Sequence, residues 1–493
     1  MLQGKTIGRI IVFIAIFGMA FSAMAQENPQ RPNIIFILAD DFGYGSLNSY
    51  GADQNLLRTP YIDRIADEGM RFTNASTPAS ICTPTRYGFL TGRYSWRSPL
   101  KYGVTHPLGD LLLDPERTTV ADWLKQRGYH TAAVGKWHLG YGHGLNQDPL
   151  EFTGKLSPGP LDLGFDYHFG VPQNHDDKLG VYIENDQIYG IRSDRIQPYS
   201  RSYYGDRYIG YDAPQRINEE VMELLTEKSV NWIKEQSSED PFFLYFAPVA
   251  VHHPSTPSAQ MRGMSDCGPY GDFIQDLDMS VGRIIETLEY MNLMENTVII
   301  FTSDNGGDIP GPHRPEAPER LAQKYGLKIN GELRGDKHTI YQGGCNVPLI
   351  VSWPGVVKEG SVSDDMVNLL DIFATVCDIT EGTLPASKNV APDSYSFLPA
   401  LLGKINPNPR TSMVTADVNG MHALRDGHWK FIDDTPPEGM PEDRLEKIKD
   451  FEAQLYDLNK DPGESTNLLL SNPGMALKLS EKLNEIRSSE YTR

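Results

Sequence analysis

The chain has 493 residues, 39% of them hydrophobic, with 45 Lys plus Arg against 65 Asp plus Glu. It can bury a large core, so a disordered or fibrous chain is excluded, and a net charge of 45 minus 65, or -20, leaves no general basic face for a nucleic-acid backbone. Four cysteines (82, 267, 345 and 377) with no C-x-x-C pair argue against a zinc site, an iron–sulfur cluster or a disulfide-dense scaffold.

At the N-terminus, Lys5 and Arg9 precede an apolar run from Ile10 to Phe21, and Ala23-Met24-Ala25 gives a small-x-small pattern before Gln26. Residues 1–25 therefore read as a cleavable export signal, which places the protein in the periplasm or outside the cell. The run is shorter than the ~20 apolar residues a spanning helix needs, so no stable membrane span is expected. Cleavage removes two cations and leaves 43 minus 65, or -22.

Asn33 to Ala39 is a continuous apolar, β-branched run, the composition of a central parallel strand covered on both faces. Similar runs follow at Tyr129 to Val134, Phe242 to Ala247 and Thr297 to Thr302, each after a predicted helix. Those helices are Val120 to Arg127 closed by Gly128, Glu219 to Glu235, and a third on which Phe273, Ile274, Leu277, Val281, Ile284, Ile285 and Leu288 form one stripe. Helix and strand alternate, so the fold class is α/β: an α/β sandwich around a large, mostly parallel sheet. Residues 146–216 show little periodicity and read as functional loops. From about Pro407 short candidate strands, a Pro- and acid-rich loop at 433–443 and a final helix near 475–487 suggest a smaller α+β subdomain. The expected organisation is a signal over 1–25, a catalytic domain over 26–406 and a C-terminal subdomain over 407–493.

Ligands of open α/β sheets collect beyond the carboxyl ends of the strands, and those ends are polar here. The first apolar run ends in Asp40-Asp41, the second in Gly135-Lys136-Trp137-His138, the third runs on to His252-His253-Pro254, and the fourth ends in Ser303-Asp304-Asn305-Gly306. Asp40, Asp41, Asp304 and Asn305 form an all-oxygen set suited to a hard divalent cation, calcium before magnesium, although any one Asp there would also serve as a turn cap. Pro84 reads as the first residue of a helix, which puts Cys82 near a helix N-terminus. On that ground alone Cys82 is either an activated thiolate or a small buried hydrophobe.

The segment Cys82-Thr83-Pro84-Thr85-Arg86 followed by Thr91-Gly92-Arg93 resembles the signature of the formylglycine-dependent sulfatases, C-x-P-S/T-R with T-G-R, at every defining position. The resemblance extends over nearly the whole mature chain. Pro32 to Asp41 looks like that family's opening strand and metal pair, Gly135 to Gly140 like its Gly-Lys-Trp-His-Leu-Gly block and Thr302 to Gly306 like its second metal pair. Leu333 to Lys337 is similar to the segment of its second catalytic lysine, and Gln454 to Asn467 to its C-terminal subdomain. The resemblance implies an alkaline-phosphatase-like fold, one calcium ion, and conversion of Cys82 to formylglycine by a separate formylglycine-generating or sulfatase-maturing enzyme.

It also implies roles. A formylglycine hydrate at 82 attacks sulfur with one hydroxyl, and loss of the other hydroxyl's proton expels sulfate. Asp40, Asp41, Asp304, Asn305 and an oxygen of modified residue 82 hold calcium, while Arg86, Lys136 and Lys337 supply local positive charge. His252, assisted by Lys337, protonates the leaving oxygen, and His138 takes the proton from the second hydroxyl. Gln342-Gly343-Gly344 departs from the Glu-Gly-Gly of many relatives. With residue 82 converted, Cys267, Cys345 and Cys377 are an odd number, so at least one free thiol is expected.

Around these groups, Asn174, His175, Asp176, Asp177, Lys178, Arg192 and Arg195 in the long segment, with His313 and Arg314, are polar candidates for binding a sugar and its acidic groups. A sulfated carbohydrate, from a glycosaminoglycan or an algal polysaccharide, is the expected substrate. The alternatives are a phosphate or phosphonate ester hydrolase of the same superfamily and a sulfated-glycan-binding relative that has lost its chemistry.

Overall fold

In the computed structural model the described residues are 31–380 and 382–493, so the export signal read at 1–25 lies outside them. The strand Asn33–Ala39 sits near the middle of a ten-stranded sheet, between Thr297–Ser303 on one side and Phe242–Ala247 on the other. His130–Lys136 and Tyr167–Val171 continue the sheet beyond Phe242–Ala247, and these five strands are mutually parallel. All seven residues of Asn33–Ala39 are buried, as an unbroken apolar run with helices on both faces requires.

The sheet is parallel through its centre, as expected, and antiparallel pairings enter toward both edges. Leu349–Ser352 pairs antiparallel with both Thr297–Ser303 and Met70–Phe72, and Ile183–Glu184 and Gln187–Ile188 fold back antiparallel on the opposite side. These outer strands are short, so their apolar pattern is too brief to read in the sequence.

The two-residue strand period sorts side chains into two layers. Ile34, Phe36 and Leu38 join one core with Tyr87, Phe89 and Leu90 of the helix Cys82–Thr91 and with Asp371–Ile379. Ile35, Ile37 and Ala39 join the other with Val221–Lys234 and Pro269–Tyr290, whose stripe of Phe273, Leu277, Val281 and Leu288 is buried as the 3.6-residue period requires. The result is an α/β/α sandwich.

After these layers the chain forms a separate antiparallel sheet, Ser412–Ala416, His422–Asp426, Trp429–Ile432 and Gln454–Asp457 in that order. Leu479 and Leu483 of the helix Pro473–Ser488 cover it against Val414, Leu424, Phe431 and Leu455. The Pro- and acid-rich loop read at 433–443 leads directly into a short helix, Glu442–Ile448, that the sequence reading did not include. Ser80 N donates to Ala416 O at 2.8 Å, so this second sheet reaches the turn that leads into Cys82.

Candidate active site

Four strand ends converge at one place. Thr302 and Ser303 register with Leu38 and Ala39, so Asp304 and Asn305 emerge beside Asp40 and Asp41. The seam is closed by Asp304 N to Ala39 O at 3.1 Å and Phe42 N to Ser303 Oγ at 2.8 Å. Asp41 adopts a left-handed backbone (φ 58°), an uncommon conformation for a residue with a Cβ, and turns the chain sharply after the strand. Val251 N donates to Asp40 O at 2.7 Å and carries His252 onto the same patch. At Gly135 (φ 120°) a Cβ would stand 1.9 Å from Ala247 O, so only glycine lets His130–Lys136 run this close and deliver Lys136 and His138.

Cys82 opens the fully buried helix Cys82–Thr91, two residues earlier than Pro84 had suggested, with Ile81 as extended N-cap. Lys337 comes from a loop pinned by Lys337 N to Gly307 O at 3.1 Å and His338 N to Ser80 O at 2.9 Å.

The side chains interlock. Cys82, Asp40, Asp41 and His252 each present a ligand atom within 4.8 Å of the others. Lys136 Nζ donates to both Asp40 oxygens at 2.8 and 2.7 Å, and Arg86 donates to Asp304 Oδ2 through Nη2 at 2.7 Å and Nε at 3.1 Å. Lys337 Nζ donates to Asp41 Oδ2 at 2.7 Å, and Asn305 Nδ2 to Asp41 Oδ1 at 2.8 Å. All of these residues are buried. Three carboxylates face three cations, so the formal charge of the set is zero.

The donors suit a hard cation. Asn305 Oδ1 is buried with no hydrogen-bond partner among the described residues, an arrangement that costs free energy unless a ligand takes it up. Burial pushes Asp40 up to about 7 in spite of Lys136, with Asp304 and Asp41 adding repulsion, and a divalent ion would relieve that repulsion. Burial alone would raise Asp304, but Arg86, Lys136 and Lys337 hold it below the ordinary carboxylate range.

Burial also pushes the Cys82 thiol up to about 12, more than Lys136 and Lys337 can offset. As encoded, it carries almost no thiolate at neutral pH, which removes the activated-thiolate option. Burial, then Lys337 and Lys136, hold His252 well below 6.5; burial with Lys136, Arg86 and Lys337 does the same to His138. The two imidazoles are therefore neutral. His252 Nδ1 lies 2.7 Å from His253 O, and a carbonyl only accepts, so Nδ1 carries the proton and bare Nε2 faces Asp41 Oδ2 at 3.6 Å. Burial is the largest single influence on Lys337 and lowers it, but Asp41, Cys82, Asp308 and Asp40 together hold it well above the ordinary lysine range.

The other predicted contacts divide. Asp177 is buried and accepts from Arg216 Nη2 at 2.8 Å and Leu179 N at 2.9 Å, and His175 Nε2 lies 2.6 Å from Thr256 Oγ1. Asp177 is thus held by Arg216 within its own long segment, and His175 joins that segment to Thr256, four residues after His252. Asn174 is half-buried, its Oδ1 enclosed without a partner among the described residues. Arg192 pairs with Asp212 at 2.8 Å, His313 is exposed, and exposed Arg314 donates to Tyr203 OH at 3.0 Å.

Several neighbours escaped the sequence. His253 Nδ1 lies 3.3 Å from Asp308 Oδ2, and with Asp41 they form a second group of potential ligand atoms. Tyr204 OH lies 3.5 Å from His252 Nδ1. The consecutive His252-His253 and the position of Asp308 after Asn305-Gly306-Gly307 were the available signals; nothing in the sequence marked Tyr204. Cys82, Cys267, Cys345 and Cys377 are all free and buried. No helix among the described residues is long and apolar enough to cross a membrane.

The sequence model of the family described as Sulfatase matches residues 32–383. An N-acetylgalactosamine-6-O-sulfatase of Bacteroides thetaiotaomicron is 35% identical over 94% of this chain and 94% of its own length. Human arylsulfatase A is 31% identical over 92% of this chain and 87% of its own. Among solved structures, a sulfatase from a Bacteroides thetaiotaomicron core genetic locus for metabolism of multiple glycosaminoglycans superposes with TM-score 0.82. It is 33% identical and covers 93% of this chain and 100% of its own.

Proposed function

The chain belongs to the sulfatase family and is a sulfuric ester hydrolase of alkaline-phosphatase-like fold, and on that premise we propose that it is an exported enzyme that removes sulfate from a sulfated carbohydrate, with calcium as its metal and residue 82 as formylglycine. The observation that carries this reading is the meeting of Cys82 with Asp40, Asp41 and His252 in one buried cluster, against Arg86, Lys136 and Lys337.

Bound there, calcium would polarise sulfate oxygens, and the hydrated formylglycine would supply one hydroxyl to attack sulfur and a second whose deprotonation frees sulfate. Asp40, Asp41, Asp304 and Asn305 would hold the ion, and a divalent cation there would raise the formal charge of the set from zero to +2, favourable to an anionic ester. Arg86, enclosed between Asp304 and Lys136 O, fixes the carboxylate that it grips. Lys136 and Lys337 stand on either side of the cluster and supply charge to the sulfate as it leaves.

The leaving alkoxide needs a proton. Lys337 carries one at neutral pH, whereas His252 is neutral with its only proton committed to His253 O. Lys337 Nζ and His252 Nε2 reach the same Asp41 oxygen, at 2.7 and 3.6 Å, so the pair delivers the proton to the leaving oxygen, with Lys337 as its charged member. Neutral His138 is ready to accept the proton of the second hydroxyl.

The relative at 35% identity acts on N-acetylgalactosamine 6-sulfate by name, so that ring is the first candidate. The reading includes export through residues 1–25 to the periplasm or beyond, a maturation enzyme as partner, and a boundary between catalytic domain and C-terminal subdomain near residue 406.

The test is a panel of matched sulfated sugars, aryl sulfates and phosphate esters, run on protein whose residue 82 has been checked by peptide mass spectrometry. Sulfate release from sugars supports the reading. Turnover of aryl sulfates alone, or faster turnover of phosphate esters, overturns it.

A further inference from the structure

Beside the charged cluster, residues 199–208 hold aromatic faces open to solvent. Tyr203 and Tyr204 are 40% and 41% exposed. They are not loosely held. Ser202 N donates to Asp206 O at 2.9 Å, Gly205 N to Ser202 O at 3.0 Å and Tyr203 N to Asp176 Oδ2 at 2.5 Å. Asp176, buried and left-handed at φ 59°, also accepts from Tyr208 OH, and Tyr208 stacks on Tyr199 with ring centres 4.9 Å apart.

The two rings stand at right angles, 5.4 Å between centres at 88°, and both lean on His253, Tyr203 at 5.0 Å and Tyr204 at 5.8 Å. Tyr204 OH lies 3.5 Å from His252 Nδ1 and from His253 O, so its ring borders the reacting groups. Tyr203 stands one residue outward. Arg314 lies 5.8 Å from its ring centre, donates to its hydroxyl at 3.0 Å and has no carboxylate partner among the described residues. An exposed apolar face fixed beside a polar site marks recognition, and an unpaired guanidinium at its edge suits a carboxylate or sulfate.

We propose that Tyr203 and Arg314 form a leaving-group subsite. Tyr204 packs on the sulfated ring, Tyr203 on the neighbouring sugar ring, and Arg314 binds an anionic substituent of that neighbour. The substrate class is therefore an acidic oligosaccharide and not a free monosaccharide sulfate. This rests on the sulfatase reading above.

The experiment uses matured, calcium-loaded enzyme and three substrates built on the sulfated ring that the panel selects: the monosaccharide, a disaccharide in which it is joined to a uronic acid, and that disaccharide with its carboxyl reduced to an alcohol. Wild type is expected to prefer the uronate disaccharide by kcat/KM. Arg314→Gln is expected to cut its preference over the reduced disaccharide about tenfold, through KM, as loss of one charge-assisted contact implies. Tyr203→Ala is expected to cut the preference for both disaccharides over the monosaccharide, with recovery in Tyr203→Phe, which keeps the face. Arg314→Gln and Tyr203→Phe retain the loop's anchors, so the test survives if Tyr203→Ala fails to fold. Sulfate release with no wild-type preference, or with preferences that the variants leave unchanged, overturns the subsite alone. No sulfate release from any of the three overturns the reading of the site as well.

Discussion

Lys430 and Glu464 form a buried ion pair, Nζ to Oε1 at 2.6 Å, that ties the C-terminal sheet to the floor of the active site. Glu464 Oε2 accepts from Gln342 N at 2.7 Å, and Lys430 Nζ also donates to Ile340 O at 2.9 Å. Two residues on, Gly344 O accepts from Gly306 N at 2.9 Å, next to Asn305. At Gly306 a Cβ would stand 1.8 Å from Gly343 O, so this contact needs glycine. The Gln342-Gly343-Gly344 segment thus enters through its backbone, and the amide in place of a carboxylate does not break the connection.

Glu464→Gln should destabilise the protein by about 3 kcal/mol or more, because it leaves Lys430 buried without its counter-charge. Chemical denaturation measures this. Lys430→Met combined with Glu464→Gln should recover part of the loss; a double variant no better than the single would place the effect outside the pair.

Calcium should stabilise the folded protein, since a ligand that binds only the native state adds about 2.7 kcal/mol at a hundred times its dissociation constant. Thermal unfolding with added calcium and with a chelator should differ in wild type, and the difference should vanish in Asp40→Asn and shrink in Asn305→Ala. An equal calcium response in all three proteins would move the ion away from these residues.

Asp278 gives a pH dependence remote from the reaction. Burial pushes its carboxyl up to about 7, although Tyr61 N and Ile62 N donate to it at 3.1 and 2.8 Å. Folding therefore takes up a proton between pH ~4 and ~7, and this group's contribution to stability is full below its unfolded pKa and lost as pH rises through the folded one. Asp278→Asn keeps an oxygen for the two N–H groups without the buried charge. Denaturation midpoints should show it more stable than wild type at pH 8, by roughly 1 kcal/mol or more, with the gap narrowing as pH falls through about 7 and closing only near pH ~4. A variant less stable at both pH values would show that the charge itself is needed there.

Lys337→Met should lower kcat for sugar sulfates more than for esters with acidic leaving groups, because it removes the proton that an alkoxide requires. A loss of at least about a hundredfold on the sugar is expected from steady-state kinetics. Equal loss on both substrate types would assign Lys337 to binding charge and not to proton donation.

What could be read from the sequence was what local chemistry encodes. Asn33–Ala39 announces a buried strand by composition, and Asp40-Asp41 and Asp304-Asn305 stand out because a polar pair directly follows an apolar run. What escaped was non-local or short. Glu464 and Gln342 are 122 positions apart, and no periodicity links them. Ile183–Glu184 and Gln187–Ile188 are strands only because Tyr167–Val171 offers them an edge. The pairing of Asp177 with Arg216, 39 positions on, left no mark in the sequence, and Tyr203 and Tyr204 gained meaning only when the loop brought them to His253.

The most direct measurement is sulfate release from a sulfated sugar as a function of the fraction of residue 82 converted to the aldehyde, with that fraction counted by peptide mass spectrometry across preparations matured to different extents. The expected result is activity proportional to the aldehyde fraction, with none from the thiol form or from Cys82→Ala. Equal turnover by unconverted protein would contradict the assignment of residue 82 as the nucleophile.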